Sequence, residues 1–525
     1  MGKLATLPKR APTAPVTSKK GRKPNTRTAT GGAGFTRDAK SELFLLAVTN
    51  MVSEKTFHED ALARDERFTK LIRKVAHEDP DWLARFVPYL RDTMNMRSAS
   101  IILAAETVHS RLTQPVAAST ITNRQVIDSA IRRADEPAEM LGYWMSQYGK
   151  NFPKPVKRGV ADAVERLYNE RNVIKWDGGS HAIQFADVLD LVHPDHKAPW
   201  QAALYEYLLD ARHDHLTLPW DNESPYAVLQ TIQGNRAAMA MDQESFRAMF
   251  SPEFVDKNGL TWEQASSKYG KLDAKFWEAM IPNMGVFALV RNLRNFEDAG
   301  ISKEARELVK AKLADPEVIA KSRMFPLRFF TAMVNTNSLQ YHEALEEAVN
   351  LSTANTPALT GKTLILVDLS PSMEWAISDR SKVKRLAPAS IFGAALAVRA
   401  DQPTLVGYSG ESEEVKVRKG SVLLTVQEIT QAVKFRNGTY TWHAVKRHFV
   451  NHDRVIIITD EQSHDSMADA QVPDDVPVYT FNVAGYRPGT MPSGKKNRYV
   501  FGGLSDAGFT ALELLERGQD TDWPF

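Results

Sequence analysis

The sequence predicts a multidomain protein in which a long all-α region is followed by an α/β domain with a doubly wound sheet. Three observations lead to this prediction. The chain has 525 residues, which is enough for two or three domains of ordinary size. Helical periodicity dominates residues 35–350, and short apolar strands alternate with helices after residue 351, as expected for a doubly wound domain.

The composition excludes several kinds of chemistry. The chain contains no cysteine, so disulfides, thiolate zinc sites, iron–sulfur clusters and cysteine nucleophiles are excluded. No run of about 20 apolar residues could cross a bilayer, and the N-terminus lacks an apolar signal region. We therefore expect a cytoplasmic protein without a membrane partner, whose chemistry depends on oxygen, nitrogen or a hard metal ion.

Residues 1–34 differ in composition from the rest of the chain. They contain eight Lys or Arg and no acidic residue, whereas the whole chain carries a net charge of only +2. The remainder is therefore net negative, so any contact with a polyanion must come from this segment or from local patches. Because the segment has few large apolar side chains, we predict a disordered basic arm.

Residues 35–355 are predicted to form the all-α domain. One amphipathic helix is indicated by Val156, Val160, Val164 and Leu167, which follow a proline suited to a first helical turn. Many such helices without heptads favour stacked helical pairs of the solenoid kind, and a plain irregular helical domain is the alternative. Further amphipathic stretches occur at residues 39–52, 67–92, 126–148, 182–192, 200–210, 226–248, 276–296, 303–313 and 325–350.

Residues 356–525 are predicted to form the α/β domain. Continuous apolar strands between helices indicate a mostly parallel sheet, whose ligands should lie beyond the carboxyl ends of the strands. Strands are predicted at residues 363–368, 403–408, 455–459, 478–483 and 499–501, and helices at residues 388–400, 426–435, 441–450 and 507–517.

A candidate metal site follows from polar residues at the ends of two apolar strands. The first strand ends in Asp368, followed at alternate positions by Ser370 and Ser372. The second strand ends before Asp460, and Thr439 lies between the two strands in a tight turn. Carboxylates and hydroxyls without thiols favour Mg²⁺ or another hard divalent cation. The alternative is that the two serines only cap a helix.

An enzymatic alternative is an aspartyl-phosphate phosphotransferase, with Asp368 as the nucleophile and Asp460 holding Mg²⁺. That chemistry usually needs a second acid two residues after the nucleophile, where this chain has Ser370. The motifs G-x-x-x-x-G-K-[ST], G-x-S-x-G and H-E-x-x-H are absent from the sequence. We therefore predict that the protein is not an enzyme.

The polar residues at the strand ends carry a family resemblance. The pattern D-x-S-x-S, then G-T, then a strand ending in T-D resembles the metal-ion-dependent adhesion site of von Willebrand factor A domains. The resemblance implies that Ser370, Ser372 and Thr439 are direct or nearly direct metal ligands and that Asp368 and Asp460 bind largely through water. It also implies an open coordination position that accepts a carboxylate from a protein partner.

The whole chain from residue 35 resembles the Ro 60 kDa autoantigen family, whose members carry a TROVE domain and a C-terminal von Willebrand factor A domain. The most specific segment is Met-Ile-Pro-Asn-Met-Gly-Val-Phe-Ala-Leu-Val-Arg-Asn-Leu at residues 280–293, supported by residues 35–42, 89–91 and 157–162. The resemblance implies a ring of HEAT-like helical repeats that binds single-stranded RNA ends in a central hole and structured RNA on its outer surface.

A basic stretch gives RNA binding a location in the sequence. Residues 150–175 contain seven cations, and Tyr168 and Trp176 lie nearby; cations bind phosphate and aromatic rings stack on bases. The alternative is that some of these cations only form i,i+4 ion pairs on a solvated face. The candidate RNA-binding residues, from the basic stretch and from the resemblance, are Lys154, Lys157, Arg158, Arg166, Lys175, His193, Arg323 and Arg328.

The chain departs from the family at two of the positions around His193. Phe185 stands where a histidine is usual, and Asp190 stands where a basic residue is usual. These departures put the outer-surface RNA site in doubt but leave the metal site unaffected.

The function predicted from these features is that of an RNA-binding, ribonucleoprotein-forming protein in RNA quality control or processing. The expected partners are a small structured RNA of the Y-RNA type, single-stranded RNA ends and an RNA-processing nuclease tethered by that RNA. The alternative, from a different functional class, is a Mg²⁺-dependent protein-interaction adaptor that binds no RNA.

Overall fold

The structure is a computed structural model that describes residues 26–28, 31, 33–36, 38–49, 61–117, 119–177, 182–213, 215, 223–322, 324, 326–336, 339–353, 358–376, 383–466, 472–484, 486, 488–491, 497–502 and 512. Most of the predicted basic arm, residues 1–25, and the predicted helix at 507–517 apart from residue 512 lie outside the described residues.

Helices dominate the chain up to residue 352. The described α-helices are α1 (Ala39–Thr49), α2 (Ala61–Glu78), α3 (Pro80–Pro88), α4 (Arg97–Thr113), α5 (Asn123–Ala130), α6 (Glu136–Tyr148), α7 (Lys154–Leu167), α8 (Glu170–Trp176), α9 (Phe185–Val192), α10 (Pro199–Arg212), α11 (Gln230–Ala240), α12 (Gln243–Met249), α13 (Pro252–Lys257), α14 (Trp262–Tyr269), α15 (Ala274–Met280), α16 (Val286–Ala299), α17 (Lys303–Leu313), α18 (Pro316–Ser322), α19 (Pro326–Asn335), α20 (His342–Ser352), α21 (Leu386–Arg399), α22 (Val422–Gln431) and α23 (Thr441–His448).

Strands dominate the core of the C-terminal part. The described strands are β1 (Thr26–Arg27), β2 (Ala33–Thr36), β3 (Leu359–Asp368), β4 (Ala400–Tyr408), β5 (Ser412–Val415), β6 (Arg454–Thr459), β7 (Val478–Asn482), β8 (Pro488–Gly489) and β9 (Arg498–Gly502). The order β5-β4-β3-β6-β7-β9 forms one mixed sheet. β5 pairs antiparallel with β4, and the other neighbours pair parallel.

The predicted fold class is confirmed as a helix-rich region followed by a mixed α/β sheet with parallel strands, which is consistent with a von Willebrand factor A-like domain. The five predicted strands all lie in this sheet. The sequence did not predict β5, since Ser-Glu-Glu-Val is short and polar in its centre. It also did not predict α4, α8, α13, α14 and α18. The last four have only six to eight residues and are too short to show a helical period. In contrast, α4 has 17 residues but is buried on most sides, so it shows no one-sided apolar pattern.

The chain forms two compact units. The first, which we call the α/β unit, comprises residues 1–99, 325–331 and 349–525. The second, the helical unit, comprises residues 100–324 and 332–348. The first three helices therefore belong to the α/β unit, and α1 contacts β9 there. The boundary between the units does not coincide with the change in composition near residue 355.

The α/β unit is built around parallel strands that are buried on both faces. Every residue of β6 and β7 is buried, as expected for the centre of a parallel sheet. α21 packs on β3 at close range. A Cβ atom added at Gly393 would lie 2.6 Å from Val367 Cγ2, so glycine is needed for this approach, which holds the carboxyl end of β3 in place.

The predicted arm is not entirely without structure. Thr26 pairs with Gly34 and Arg27 with Ala33 in an antiparallel hairpin, and β2 continues onto β8 through Phe35 opposite Gly489. The described residues 26–28, 31, 33 and 34 therefore differ from the predicted disorder, because β1 pairs with β2 and β2 continues onto β8, a strand that is distant in sequence.

In the helical unit, α5 and α7 pack at very short range. A Cβ atom on Gly159 would lie 2.6 Å from Arg124 O and 2.7 Å from Ile127 Cβ, so only glycine permits this crossing. Ion pairs close both ends of the contact: Arg124 bonds to Asp162 at 2.5 Å, and Arg166 bonds to Asp128 at 2.5 Å. Among the described residues, no helix is long and apolar enough to span a bilayer.

Buried His452 predicts a loss of stability at acid pH. Its Nδ1 accepts a hydrogen bond from Val450 N at 3.0 Å, and its Nε2 lies 3.0 Å from Thr404 Oγ1. Burial, followed by the Lys362 ammonium, lowers the pKa of His452 below its ordinary 6.5. The unfolded chain therefore binds the proton more readily, and this contribution to stability is present above about pH 6.5 and lost as the pH falls through that value towards the lowered pKa.

Urea unfolding at neutral and acid pH tests this prediction. His452→Gln should lose less stability on acidification than the wild-type protein. The exposed His196→Gln is the matched control and should behave like the wild type. Equal acid sensitivity in all three proteins would contradict the assignment to His452.

Candidate metal centre and nucleic-acid interface

Asp368 and Asp460 lie at the carboxyl ends of adjacent strands. β3 and β6 are parallel neighbours with Val367 opposite Ile458, so the two carboxylates emerge at the same edge of the sheet. The strand order reverses here, since β4 lies on one side of β3 and β6 lies on the other. Open α/β sheets bind ligands at such a point. Both aspartates are fully buried.

Asp368 is oriented by hydrogen bonds to both of its carboxylate oxygens. Ser370 N donates to Oδ1 at 2.8 Å, and Thr459 Oγ1 donates to Oδ2 at 2.6 Å. The Ser370 and Ser372 hydroxyls lie 3.2 Å apart, and both serines are buried. The D-x-S-x-S segment therefore gathers a carboxylate and two hydroxyls in one place, as the sequence pattern predicted.

Thr439 is tied to the loop that follows Asp460. Ser463 Oγ donates to Thr439 O at 2.9 Å, and His464 N donates to the same oxygen at 2.8 Å. Thr439 N donates to His464 Nδ1 at 3.1 Å. Thr439 is itself buried, so the turn that carries it and the segment 460–465, which we call the Asp460 loop, form one hydrogen-bonded assembly.

The electrostatics of the site favour a cation. Burial first, and the Asp460 carboxylate second, raise the pKa of Asp368 from its ordinary 3.8 to about 7, although hydrogen bonds from Ser370 and Thr459 lower it. Two buried carboxylates therefore repel each other, and a hard divalent cation would offset that repulsion. In the part of the chain that the structure describes, no group of three or more His, Asp or Glu could hold a metal ion, so a metal here depends on the hydroxyls.

Sequence reasoning missed several residues that build this site. Thr459, the last residue of β6, is a polar residue in an apolar strand, and that position was the available signal. Ser463 and His464 carried no signal, because loop residues far from Thr439 in sequence reveal nothing of their partners. Tyr408 was predicted only as a strand residue. Its hydroxyl lies 3.1 Å from Thr441 Oγ1, and its carbonyl oxygen accepts a hydrogen bond at 2.7 Å from the N–H of Leu369, the residue after Asp368.

The strongest group of predicted RNA contacts lies on the first two turns of α7. Lys154 and Arg158 are exposed and Lys157 is half-buried. Lys154 is three residues from Lys157 and four from Arg158, so the three side chains are neighbours on the helix surface. No ion pair to a described residue engages any of the three. They form what we call the α7 cation cluster.

Two other predicted contacts are already engaged. Arg166 bonds to Asp128 at 2.5 Å and to Ile131 O at 3.1 Å, so it joins α7 to α5. Lys175 lies with its Nζ 4.8 Å from the centroid of the Trp176 ring. Tyr168, considered as a base-stacking residue, is buried and stacks on Phe185 with ring centroids 4.1 Å apart.

The remaining predicted contacts lie outside α7. His193 is exposed and ends α9 with a positive φ of 47°. Arg328 is exposed and belongs to the α/β unit rather than the helical unit. Arg323 lies outside the described residues. At the positions that depart from the family, Phe185 fills the core and Asp190 pairs with His213 at 3.2 Å.

The fold and the sites define a class of protein that combines a helical unit, bearing an outward cluster of cations, with an α/β unit that holds a buried hydroxyl and carboxylate site. Residues 257–340 match the family model described as the TROVE domain. The crystal structure of the Ro (RSR) protein of Deinococcus radiodurans aligns with a TM-score of 0.63 at 17% identity, covering 91% of this chain and 100% of that chain. This likeness shows a shared fold.

Two curated relatives match part of the chain in sequence. Telomerase protein component 1 of Mus musculus and of Rattus norvegicus are each 37% identical over 82 residues, which is 15% of this chain. The match spans only 3% of the length of either relative. The family-model match, the shared fold and these relatives confirm the resemblance to the Ro/TROVE family that the sequence predicted.

The repulsion between the two buried carboxylates predicts the effect of removing one of them. Asp460→Asn should raise the unfolding temperature by a few degrees in EDTA, because it removes the like charge beside Asp368. Thermal unfolding followed by circular dichroism measures this effect.

Asp465→Asn is a matched control in the same loop. Asp465 accepts a hydrogen bond from His443 N at 2.7 Å, and its Oδ1 lies 2.5 Å from Ser463 Oγ, so its replacement should lower the unfolding temperature. If both variants were destabilised equally in EDTA, the result would show that repulsion between Asp368 and Asp460 does not lower the stability of the metal-free protein.

Proposed function

We propose that this protein binds RNA in the manner of Ro/TROVE proteins, with the α7 cation cluster as part of the contact surface. The ligand we propose is a small structured RNA of the Y-RNA type, together with single-stranded RNA ends. The protein would act in RNA quality control or processing without being an enzyme itself, and the bound RNA would link it to a processing nuclease.

The observation that carries the proposal is the position of the α7 cation cluster at a helix N-terminus. The first turn of α7 contains no acidic residue, and its N-cap Pro153 makes no side-chain cap. Cations at the positive end of the helix macrodipole are unfavourable by about 0.3–1 kcal/mol each, and like charges at i,i+4 spacing add a similar cost. Helix stability alone would favour acids at these positions, whereas the phosphates of an RNA backbone would bind the cations.

We further propose that the hydroxyl and carboxylate site of the α/β unit binds Mg²⁺ or another hard divalent cation. Ser370, Ser372 and Thr439 would supply hydroxyl oxygens, and Asp368 and Asp460 would supply carboxylates, largely through water. The support is the burial of all five side chains and the repulsion between the two carboxylates. A bound cation would supply an electrophilic position for an anionic group such as a carboxylate of a protein partner.

A second candidate function is a Mg²⁺-dependent adaptor that binds a protein and no RNA. The observation that favours it is that the proposed metal donors are all contained in the α/β unit, so this site needs nothing from the helical unit. The phosphotransferase alternative has less support, since both oxygens of Asp368 accept hydrogen bonds and burial disfavours the charged carboxylate that would act as nucleophile.

Removing two members of the α7 cation cluster tests RNA binding. The double variant Lys157→Ala, Arg158→Ala should bind a small stem–loop RNA more weakly than the wild type. The slope of log affinity against log salt concentration should also fall by about two, because each lost phosphate contact removes roughly one unit. Gel-shift titrations across a series of KCl concentrations measure both quantities.

The control for this experiment removes two exposed lysines elsewhere on the helical unit. Lys303→Ala, Lys321→Ala loses the same charge and should keep both the affinity and the salt slope. Equal losses in the two double variants would indicate nonspecific attraction. An unchanged Lys157, Arg158 variant would exclude the α7 surface, and wild-type protein that retains no RNA from its native cell would favour the adaptor.

Addition of Mg²⁺ should stabilise the wild-type protein. A ligand at about 100 times its dissociation constant stabilises the native state by about 2.7 kcal/mol, so saturating Mg²⁺ should raise the unfolding temperature measurably above its value in EDTA. Ser370→Ala should abolish most of this rise. Ser390→Ala replaces a buried serine of α21 that is not among the proposed donors and should preserve this rise. A wild type that does not respond to Mg²⁺ would contradict the metal proposal.

A further inference from the structure

The N-terminal hairpin, which comprises β1, Thr28, Gly31 and β2, is anchored to the loop that carries Asp460. Thr28 follows β1 and is buried, and its Oγ1 donates to Ser463 O at 2.8 Å. The two residues are separated by 435 positions in sequence. The hairpin itself is held by its own pairing and by a turn in which Gly31 N donates to Thr28 O at 3.0 Å.

Ser463 transmits this anchor to the proposed metal ligands. Its Oγ donates to Thr439 O at 2.9 Å and accepts from Thr441 N at 3.0 Å. The Ser463 hydroxyl therefore contacts the backbone at Thr439 and Thr441. The Ser463 carbonyl accepts the hydrogen bond from the Thr28 hydroxyl. A displacement of Ser463 would move Thr439 and the Asp460 loop together.

The hairpin reaches the other end of the Asp460 loop by a separate route. β2 pairs with β8, with Thr36 opposite Pro488, and shortly after β8 Met491 N donates to Glu461 Oε1 at 3.2 Å. Glu461 is fully buried and has a positive φ of 60°, a left-handed conformation that non-glycine residues rarely adopt. Its N–H donates to Thr459 Oγ1 at 3.0 Å, and that hydroxyl donates to Asp368.

The geometry points to a positioning role for the N-terminal hairpin in the α/β unit, in which Thr28 and β2 hold the Asp460 loop in the conformation that binds a divalent cation. This inference rests on the proposed metal site and extends it to Thr28 and β1, which precede the region of family resemblance. Outer partners of metal ligands commonly change metal affinity by about 10- to 100-fold when they are removed. Thr28 acts here through Ser463 and is not itself a ligand.

Manganese binding to the full-length protein tests the inference, with free Mn²⁺ measured by electron paramagnetic resonance well below the unfolding temperature. Thr28→Val keeps the shape of the side chain but removes the donor, and it should weaken the dissociation constant by about tenfold. Thr28→Ser retains the hydroxyl and should bind Mn²⁺ as the wild type does. Thr26→Val makes the same replacement two residues earlier, where the structure shows strand pairing, and should also leave binding unchanged.

The outcomes separate this inference from the proposal on which it rests. If wild-type protein binds no Mn²⁺, the metal site itself is wrong. If wild type binds Mn²⁺ and Thr28→Val binds it equally well, the metal site stands and the positioning role is overturned. Unfolding temperatures in EDTA provide the structural comparison, because a general loss of stability would affect Thr28→Val and Thr26→Val alike, whereas a positioning role weakens Mn²⁺ binding in Thr28→Val alone.

Discussion

Two carboxylates, Asp368 and Asp460, are buried together at the ends of adjacent parallel strands, and the surrounding structure compensates for the cost of placing them there. Parallel pairing of β3 with β6 brings them to one edge, and burial with mutual repulsion raises the pKa of Asp368 to about 7. A buried charge needs hydrogen bonds or a counter-ion. Hydrogen bonds come from the Ser370 amide, the Thr459 hydroxyl and the Asp460 loop. The proposed cation would be the counter-ion.

The same constraint explains why distant parts of the α/β unit converge on a short loop. Thr439 is held through Ser463 and His464, and Ser463 is held in turn by Thr28. Glu461 has a left-handed backbone conformation, and its carboxylate accepts hydrogen bonds from Asn482 Nδ2 and Met491 N. The N-terminal hairpin is thus part of the framework of the candidate metal centre, although it is remote from that centre in sequence.

The α/β unit buries two like charges together, whereas the helical unit pairs cations with carboxylates. Its interhelical cations, Arg124 and Arg166, are matched with carboxylates across the close α5–α7 contact, which the absence of a side chain at Gly159 makes possible. The α7 cation cluster has no such match among the described residues. The structure therefore separates cations that contribute to helix packing, such as Arg166, from cations that face outwards, such as those of the α7 cation cluster. The spacing of these residues along α7 could not separate them.

The sequence by itself determined the alternation of elements and the chemical types at the strand ends, because helical periodicity, apolar strands and a D-x-S-x-S pattern are local properties. The five strands of the parallel core and the positions of Asp368 and Asp460 were predictable for that reason. Only the tertiary structure decided which partners these residues meet. The pairing of Arg166 with Asp128, the burial of Tyr168 and the bond from Thr28 to Ser463 join segments far apart in the chain, and such contacts depend on how the backbone packs rather than on any local pattern.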